Sequence, residues 1–431
     1  MSRFDADLLG IQEHTKTMMD MLEQSVEITA TSQYFSEMAA INNRVSRIRE
    51  RLEPEDHPDI IKAWLRLENR MKRLHRLLDL RAPFIILQDE NSWLRLMTSH
   101  MEMYANGIQP TYTEGELEEL EQFGELETSF DEEDIPNRIQ GALFGLAIGD
   151  AMGAATEFME PDEIQRKFGR VTDFLGGGWF NLLPGETTDD TAMTICVAEG
   201  IIETPDHPIE AIGQAFLRWE ASNPPDIGIT IRHVFQHYRG DWMKAAQQAH
   251  LDLDGKSAGN GSLMRCLPVA LAYRNREKME EITVLQSKMT HFDDLASEAC
   301  LLYNRIAFDV LHGNHLRYAI VDHVANTRYQ NVFLSRPSCS PDGYVVHTFT
   351  WVLYLLWNFH SFQEVILEAT NEGYDADTVA AIAGGLSGLF HGVGSIKYTN
   401  NWVERLQNAN RLSSLAEELF QLRQSQGSDV E

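Results

Sequence analysis

Basic residues are scarce in this chain. Thirty-six Lys and Arg stand against 65 Asp and Glu, a formal net charge of −29 over 431 residues. Phosphate-backbone recognition needs a cationic footprint, so this balance argues against a nucleic-acid partner. Cysteine is rare too. Cys196, Cys266, Cys300 and Cys339 lie far apart with no C-x-x-C pair, which argues against a zinc ribbon or a disulfide framework and suits reduced thiols in a cytoplasmic protein. The first ten residues carry Asp5 and Asp7 and lack the cationic start and apolar centre of a signal peptide. No stretch approaches the roughly 20 apolar residues that cross a bilayer, so no membrane partner is expected. The longest uncharged run, residues 343–363, is broken by His, Thr, Asn and Ser and reads as a buried helix. Continuous strand-like alternation is also scarce, and no fixed-period repeat is present.

What is present divides into three zones. Residues 1–112 contain few glycines and prolines, and their apolar residues recur at helical spacing. The clearest stripe is Trp64, Leu67, Met71, Leu74 and Leu78, stepping 3, 4, 3, 4, with Arg66, Arg70, Lys72, Arg73 and Arg76 on other faces. It predicts an amphipathic helix in a small bundle or against a partner. Residues 113–135 form an acidic linker: between 114 and 134 there are eleven acidic residues and no basic one. Such charge density resists compaction, or else provides an arm for a basic protein surface. Residues 136–425 are rich in glycine, alanine and apolar residues, and helical periodicity marks 141–159, 191–202, 263–273, 293–310 and 378–390. A hydrophobic content of 43% is ample for a substantial core. The fold class expected is all-α, with functional loops at helix ends.

Two carboxylate clusters stand out. Gly185-Glu-Thr-Thr-Asp-Asp-Thr191 places Asp189 beside Asp190 just ahead of a helical segment, and Gly373-Tyr-Asp-Ala-Asp-Thr378 repeats the arrangement with Asp375 and Asp377. Either alone is better explained as a helix cap, since Asp and Thr satisfy free N–H groups there. As a pair facing across a cleft they offer about six hard oxygen donors, enough for two divalent cations. Glycines at 141, 145, 149 and 153 fall every four residues along one face and permit close helix packing. Asp150 and Glu157, two helical turns apart, would share a face, and a carboxylate beside so apolar a stripe needs a partner. Ser257-Ala-Gly-Asn-Gly-Ser-Leu-Met-Arg265 offers backbone N–H groups suited to an anion, although its residues also suit an ordinary turn.

In order and combination, G-x-x-x-G-x-x-x-G-D-A-x-G-x-x-x-E at 141–157, T-D-D-T at 188–191, G-N-G-S-L-M-R at 259–265 and D-A-D-T at 375–378 resemble the ADP-ribosylglycohydrolase family. That family includes dinitrogenase reductase-activating glycohydrolase and the ADP-ribosylarginine hydrolases. The resemblance implies an all-α catalytic domain with a binuclear cleft holding two Mg²⁺ or Mn²⁺. Thr188, Asp189, Asp190, Asp375, Asp377 and Thr378 would be metal ligands, with Glu157 beside them as ligand or acid/base group. Asn260, Gly261 and Ser262 would contact ribose or pyrophosphate. His291 resembles a residue lining the ADP-ribose cleft, though as a lone histidine it also fits a core. Asp226 resembles an aspartate that arginine-specific members place near the scissile ribose, and it also fits a turn after two prolines. Where many relatives have glycine, Tyr374 brings a phenol to the cleft, and Glu372 would add an acid beside the metals.

The implied reaction releases ADP-ribose from a modified protein, with an arginine linkage favoured. O-linked (serine) ADP-ribose and a non-catalytic toxin- or ADP-ribose-binding protein are the alternatives. The extra N-terminal segment resembles the layout of immunity-type hydrolases that oppose an ADP-ribosyltransferase toxin delivered by type VI secretion. There the extension blocks the toxin while the hydrolase domain reverses its modification.

Overall fold

The computed structural model describes residues 134–426 except 331, 360 and 398–400. The Trp64–Leu78 stripe and nearly all of the acidic linker lie outside the described residues. Among the described residues the chain is helical, with isolated bridges Gly177↔Leu182 and Gly259↔Tyr344 in place of strands. In chain order the helices are α1 (Ile135–Gly153), α2 (Pro161–Phe168), α3 (Asp189–Glu203), α4 (Pro208–Glu220), α5 (Ile229–His237), α6 (Trp242–Asp252), α7 (Leu267–Ala272) and α8 (Arg276–Lys288). They continue as α9 (Asp294–Leu311), α10 (Leu316–Val324), α11 (Val345–Asn358), α12 (Phe362–Glu372), α13 (Ala376–Ile396), α14 (Trp402–Arg405) and α15 (Ala409–Ser425).

The α1–α13 pair is the spine, and its intimacy comes from glycine. A Cβ on Gly141, Gly145, Gly149 or Gly153 would collide with the carbonyl of Gly388, Gly384, Ala380 or Ala376 respectively. The collision is reciprocal, because a Cβ on Gly384 or Gly388 would meet the carbonyl of Gly145 or Gly141. The two backbones therefore touch along four helical turns. This fixes the register that brings Asp150, near the end of α1, level with Asp377 in the first turn of α13. α12 and α11 cover α13, α15 covers α1, and α3 packs with α4 and α5 with α6.

α13 corrects one expectation. At 21 residues with mean hydropathy 1.5 it is long and apolar enough to cross a membrane, yet 78% of that window is buried inside the protein. A core helix sheathed by others needs the same composition as a lipid-facing one. Most of the 343–363 run is a buried helix as expected, α11, which covers Val345–Asn358.

Two helix boundaries also differ from the sequence pattern. Residues 141–159 do not form one helix: α1 stops at Gly153 and Phe158 turns with φ 62°. The cause is a tertiary contact, since Phe158 N–H donates to Tyr374 O at 2.6 Å and Tyr374 N–H to Met159 O at 2.8 Å. Asp150 and Glu157 therefore do not share a helical face. In the 263–273 segment only 267–272 is helical, because Pro268 fits the first turn of a helix and residues ahead of it are spent on turns.

Candidate active site

The helix starts at both carboxylate clusters explain the local geometry. Thr188 is the N-cap of α3, its hydroxyl accepting from Asp190 N–H, so Asp189 and Asp190 occupy the first turn instead of preceding the helix. Asp375 is the N-cap residue of α13 and Asp377 lies in its first turn. Acidic groups at helix N-termini face the positive end of the dipole, which lightens the cost of crowding them.

Asp150, which the sequence pattern placed near the site without a role, holds the first cluster together. Its Oδ1 and Oδ2 accept from Thr188 N–H at 2.9 and 3.1 Å, and Oδ2 also accepts from Thr191 N–H at 3.0 Å and Thr191 Oγ1 at 2.5 Å. Asp150 is fully buried, and burial pushes its carboxyl up to about 6 despite these donors.

The two clusters meet across one cavity of about 640 Å³. Glu157, Asp189, Asp226, Asn260, Gly261, His291, Tyr374, Asp375, Asp377 and Thr378 all line it, so ten of the thirteen site residues expected from sequence converge. Thr188 and Asp190 lie just behind the wall. Asp190 Oδ2 accepts from Thr188 Oγ1 at 3.2 Å and from Thr378 Oγ1 at 3.3 Å, which links the two clusters directly. Ser262 is the exception. It is fully buried, and its hydroxyl pairs with Ser287 Oγ at 2.9 Å, because the turn after Gly261 directs that side chain into the core.

Two further residues behave differently from expectation. The Asn260 amide donates to Asp375 Oδ2 at 2.6 Å and to Thr348 Oγ1 at 2.9 Å, so its NH₂ group orients a carboxylate of the cluster. Glu372 does not join the cleft. It pairs with Arg336 Nη2 at 2.7 Å, and the turn at Gly373 separates it from Asp375. The loop carrying Asp342 and Gly343 also lines the cavity, and Pro341 O accepts from Asp375 N–H at 2.9 Å. Pro341-Asp-Gly343 is a recognisable turn signal, but nothing in it announces a site.

His291 is a neutral pocket residue. Arg265 Nη2 donates to Thr290 Oγ1 at 2.7 Å, and Thr290 Oγ1 lies 2.8 Å from His291 Nδ1. Burial, with the nearby Arg265 charge, pushes His291 down to about 3. A Cβ placed on Gly259 would sit 3.2 Å from His291 Nε2, so the imidazole borders the G-N-G turn.

The cleft is strongly acidic. Among the described residues no Lys or Arg lines the cavity. Glu157 Oε2, Asp190 Oδ1 and Asp377 Oδ1 are buried with no hydrogen-bond partner. Acceptors of that kind are costly to bury unless protonated or bound to a positive ion. Burial, reinforced by repulsion from Asp375, Asp226 and Asp189, pushes Glu157 up to about 9. Burial foremost also holds Asp189, Asp190 and Asp377 well above the usual carboxylate range. Ligand oxygens of Glu157, Asp375 and Asp377 lie within 4.8 Å of one another, a donor set of hard oxygens suited to Mg²⁺ or Mn²⁺.

A family model described as ADP-ribosylglycohydrolase matches residues 131–429. The ADP-ribosyl-[dinitrogen reductase] glycohydrolase of Rhodospirillum rubrum is 32% identical over 274 residues, covering 63% of this chain and 91% of that protein. ADP-ribosylarginine hydrolase Tri1 of Pseudomonas putida (strain GB-1) is 32% identical over 302 residues, covering 66% of this chain and 78% of that protein. A solved structure titled ADP-ribosylglycohydrolase-related protein complex superposes with a TM-score of 0.59 at 29% identity, over 67% of this chain and 99% of that one.

Proposed function

Because the chain belongs to the ADP-ribosylglycohydrolase family, we propose that it hydrolyses the bond between ADP-ribose and an arginine side chain of a modified protein, using divalent cations in the cleft. The carrying observation is the set of buried, unpartnered carboxylate oxygens of Glu157, Asp190 and Asp377 around one cavity. Thr188, Asp189, Asp190, Asp375, Asp377 and Thr378 would hold two Mg²⁺ or Mn²⁺. When bound, the cations supply Lewis-acid polarisation of the ribose oxygens and of the attacking water.

This chain's own residues do the rest. Glu157, whose carboxyl is raised by burial and by the surrounding acids, would be the group that passes a proton to the departing guanidine nitrogen. Water adds its hydroxyl to the anomeric carbon as the carbon–nitrogen bond breaks, and its remaining proton would replace the one Glu157 gave up, leaving free ADP-ribose and an intact arginine. Asp226 lines the cavity beside Asp189, within side-chain hydrogen-bond reach of it, and would take up the positive charge of the guanidinium. His291 is neutral and offers a hydrogen bond beside Gly259, and Gly261 leaves room for backbone contact with the ribose or pyrophosphate. Phe158 and Tyr374 provide apolar faces at the wall. The name of the Pseudomonas putida relative supports the arginine linkage.

The proposal extends to a cytoplasmic immunity role, in which residues 1–112 and the acidic linker bind and block an ADP-ribosyltransferase toxin. The acidic run at 114–134 supports it through complementarity to a basic surface. The full-length chain should release ADP-ribose from arginine-modified protein and lose that activity with a chelator. Release from serine-modified protein alone would replace the arginine reading. The full-length Asp377→Ala variant, incubated with the transferase and its target, should still suppress modification if the extension blocks the toxin. Unimpeded modification would remove the immunity role.

A further inference from the structure

Among the described residues, one cluster outside the cleft has metal-ligand chemistry. His233 and His237 are four residues apart on α5 and so project from the same helical face. Asp252, the last residue of α6, reaches across the α5–α6 seam to them. One ligand atom from each of the three lies within 4.8 Å of the others. His237 Nε2 is 2.6 Å from Asp252 Oδ2, and Asp252 Oδ1 accepts from Gln248 Nε2 at 2.7 Å. Among the described residues His233 Nδ1 is buried with no hydrogen-bond partner.

We propose that His233, His237 and Asp252 form a second metal site, selective for a borderline transition ion of the Zn²⁺ class and separate from the hard-oxygen cleft. Two imidazoles and one carboxylate form a donor set that Zn²⁺, Co²⁺ or Ni²⁺ fills well and Mg²⁺ does not. His237 and the Asp252 side chain are about one third exposed (33% and 36%), so the ion has a path in and a water can complete its coordination. Gln248 supplies the outer hydrogen bond that holds a ligating carboxylate in orientation. Binding needs lone pairs on the imidazoles. The His237 proton facing Asp252 moves to Nδ1 or is released, and the ion takes its place.

The site would act as a clamp. It joins the last turn of α5 to the end of α6, while the first turn of α5, Ile229 to Ile231, forms part of the cavity wall. Occupancy would therefore stiffen one wall of the cleft from behind without touching its carboxylates. This inference stands on its own residues and is independent of the proposed reaction.

The test uses the full-length chain, stripped with a chelator and equilibrated in excess Mg²⁺. Zn²⁺ is titrated by calorimetry, and Co²⁺ by its visible absorption, which is intense for four- or five-coordinate ions. Wild type should bind one equivalent more of either ion than His237→Ala, and Asp252→Asn should weaken that equivalent at least about tenfold. Zn²⁺ should raise the thermal midpoint of wild type and leave that of His237→Ala unchanged. Circular dichroism without Zn²⁺ verifies that these partly exposed substitutions leave the fold intact. The same Zn²⁺ or Co²⁺ uptake by wild type and His237→Ala would overturn the site, as would no saturable uptake by wild type.

Discussion

Asp150 receives the backbone N–H of Thr188 on both of its carboxylate oxygens, at 2.9 and 3.1 Å, from a position on a different helix. The contact ties the end of α1 to the start of α3 and so aims Asp189 and Asp190 at the cleft. It also divides labour among the acids. Asp150 is satisfied by donors and organises the turn, while Glu157, Asp190 and Asp377 keep oxygens without partners.

The first prediction follows from that contact. Asp150→Ala leaves the N–H groups of Thr188 and Thr191 buried without an acceptor, at a cost of about 1–3 kcal/mol for each unsatisfied group. Unfolding in urea should register the loss, and hydrolase activity should fall more than tenfold because the two carboxylates proposed as ligands, Asp189 and Asp190, lose their aim. Wild-type activity in a soluble Asp150→Ala protein would show that the turn holds without it.

The α1–α13 spine gives a second. Gly145→Ala and Gly149→Ala each push a methyl into a backbone carbonyl of α13, which cannot rotate away. Each should destabilise by about 2 kcal/mol or more, in the range of overpacked cores. Gly394→Ala is the comparison, because its new Cβ meets nothing closer than Asn137 Oδ1 at 3.4 Å. Its thermal midpoint should stay within a degree or two of wild type, by the small cost of an uncrowded substitution.

Catalytic roles separate in a third. Asp377→Ala should abolish turnover and weaken Mg²⁺ or Mn²⁺ binding measured directly by calorimetry. Glu157→Gln should retain cation binding and lose about 10²–10⁴-fold in kcat, the usual contribution of a general acid. Loss of cation binding in Glu157→Gln would make that residue a ligand and leave the proton to Asp226.

The fourth concerns pH and cation removal together. Glu157 is raised from 4.5 to about 9 and Asp150 from 3.8 to about 6, so each gives stability that is complete below its ordinary carboxyl value. That contribution is lost as pH rises through the folded value. Chelated protein should therefore lose thermal stability steadily from near pH 5 to pH 9, and saturating Mg²⁺ should flatten the slope by neutralising the same carboxylates. Equal slopes with and without Mg²⁺ would argue that the cluster is held by protons alone.

Much of the site was legible because its chemistry is local. T-D-D-T and D-A-D-T each lie at a helix start, and G-N-G makes a turn wherever it occurs, so residue type and spacing already fixed what each segment would present. Three errors share one origin. The early end of α1, the inward turn of Ser262 and the pairing of Glu372 with Arg336 each depend on a partner far along the chain. Periodicity carries no information about such partners.

By itself, the sequence determined the helical class, the acidic clusters and the glycine face of α1. These follow from backbone propensity, like-charge composition and the absence of side chains. Only the tertiary structure decided which carboxylates are satisfied and which are left bare. Asp150, Glu157, Asp190 and Asp377 are equally acidic as letters. Burial and the positions of distant N–H donors turn the first into a structural anchor and leave the others with oxygens open to a proton or a cation.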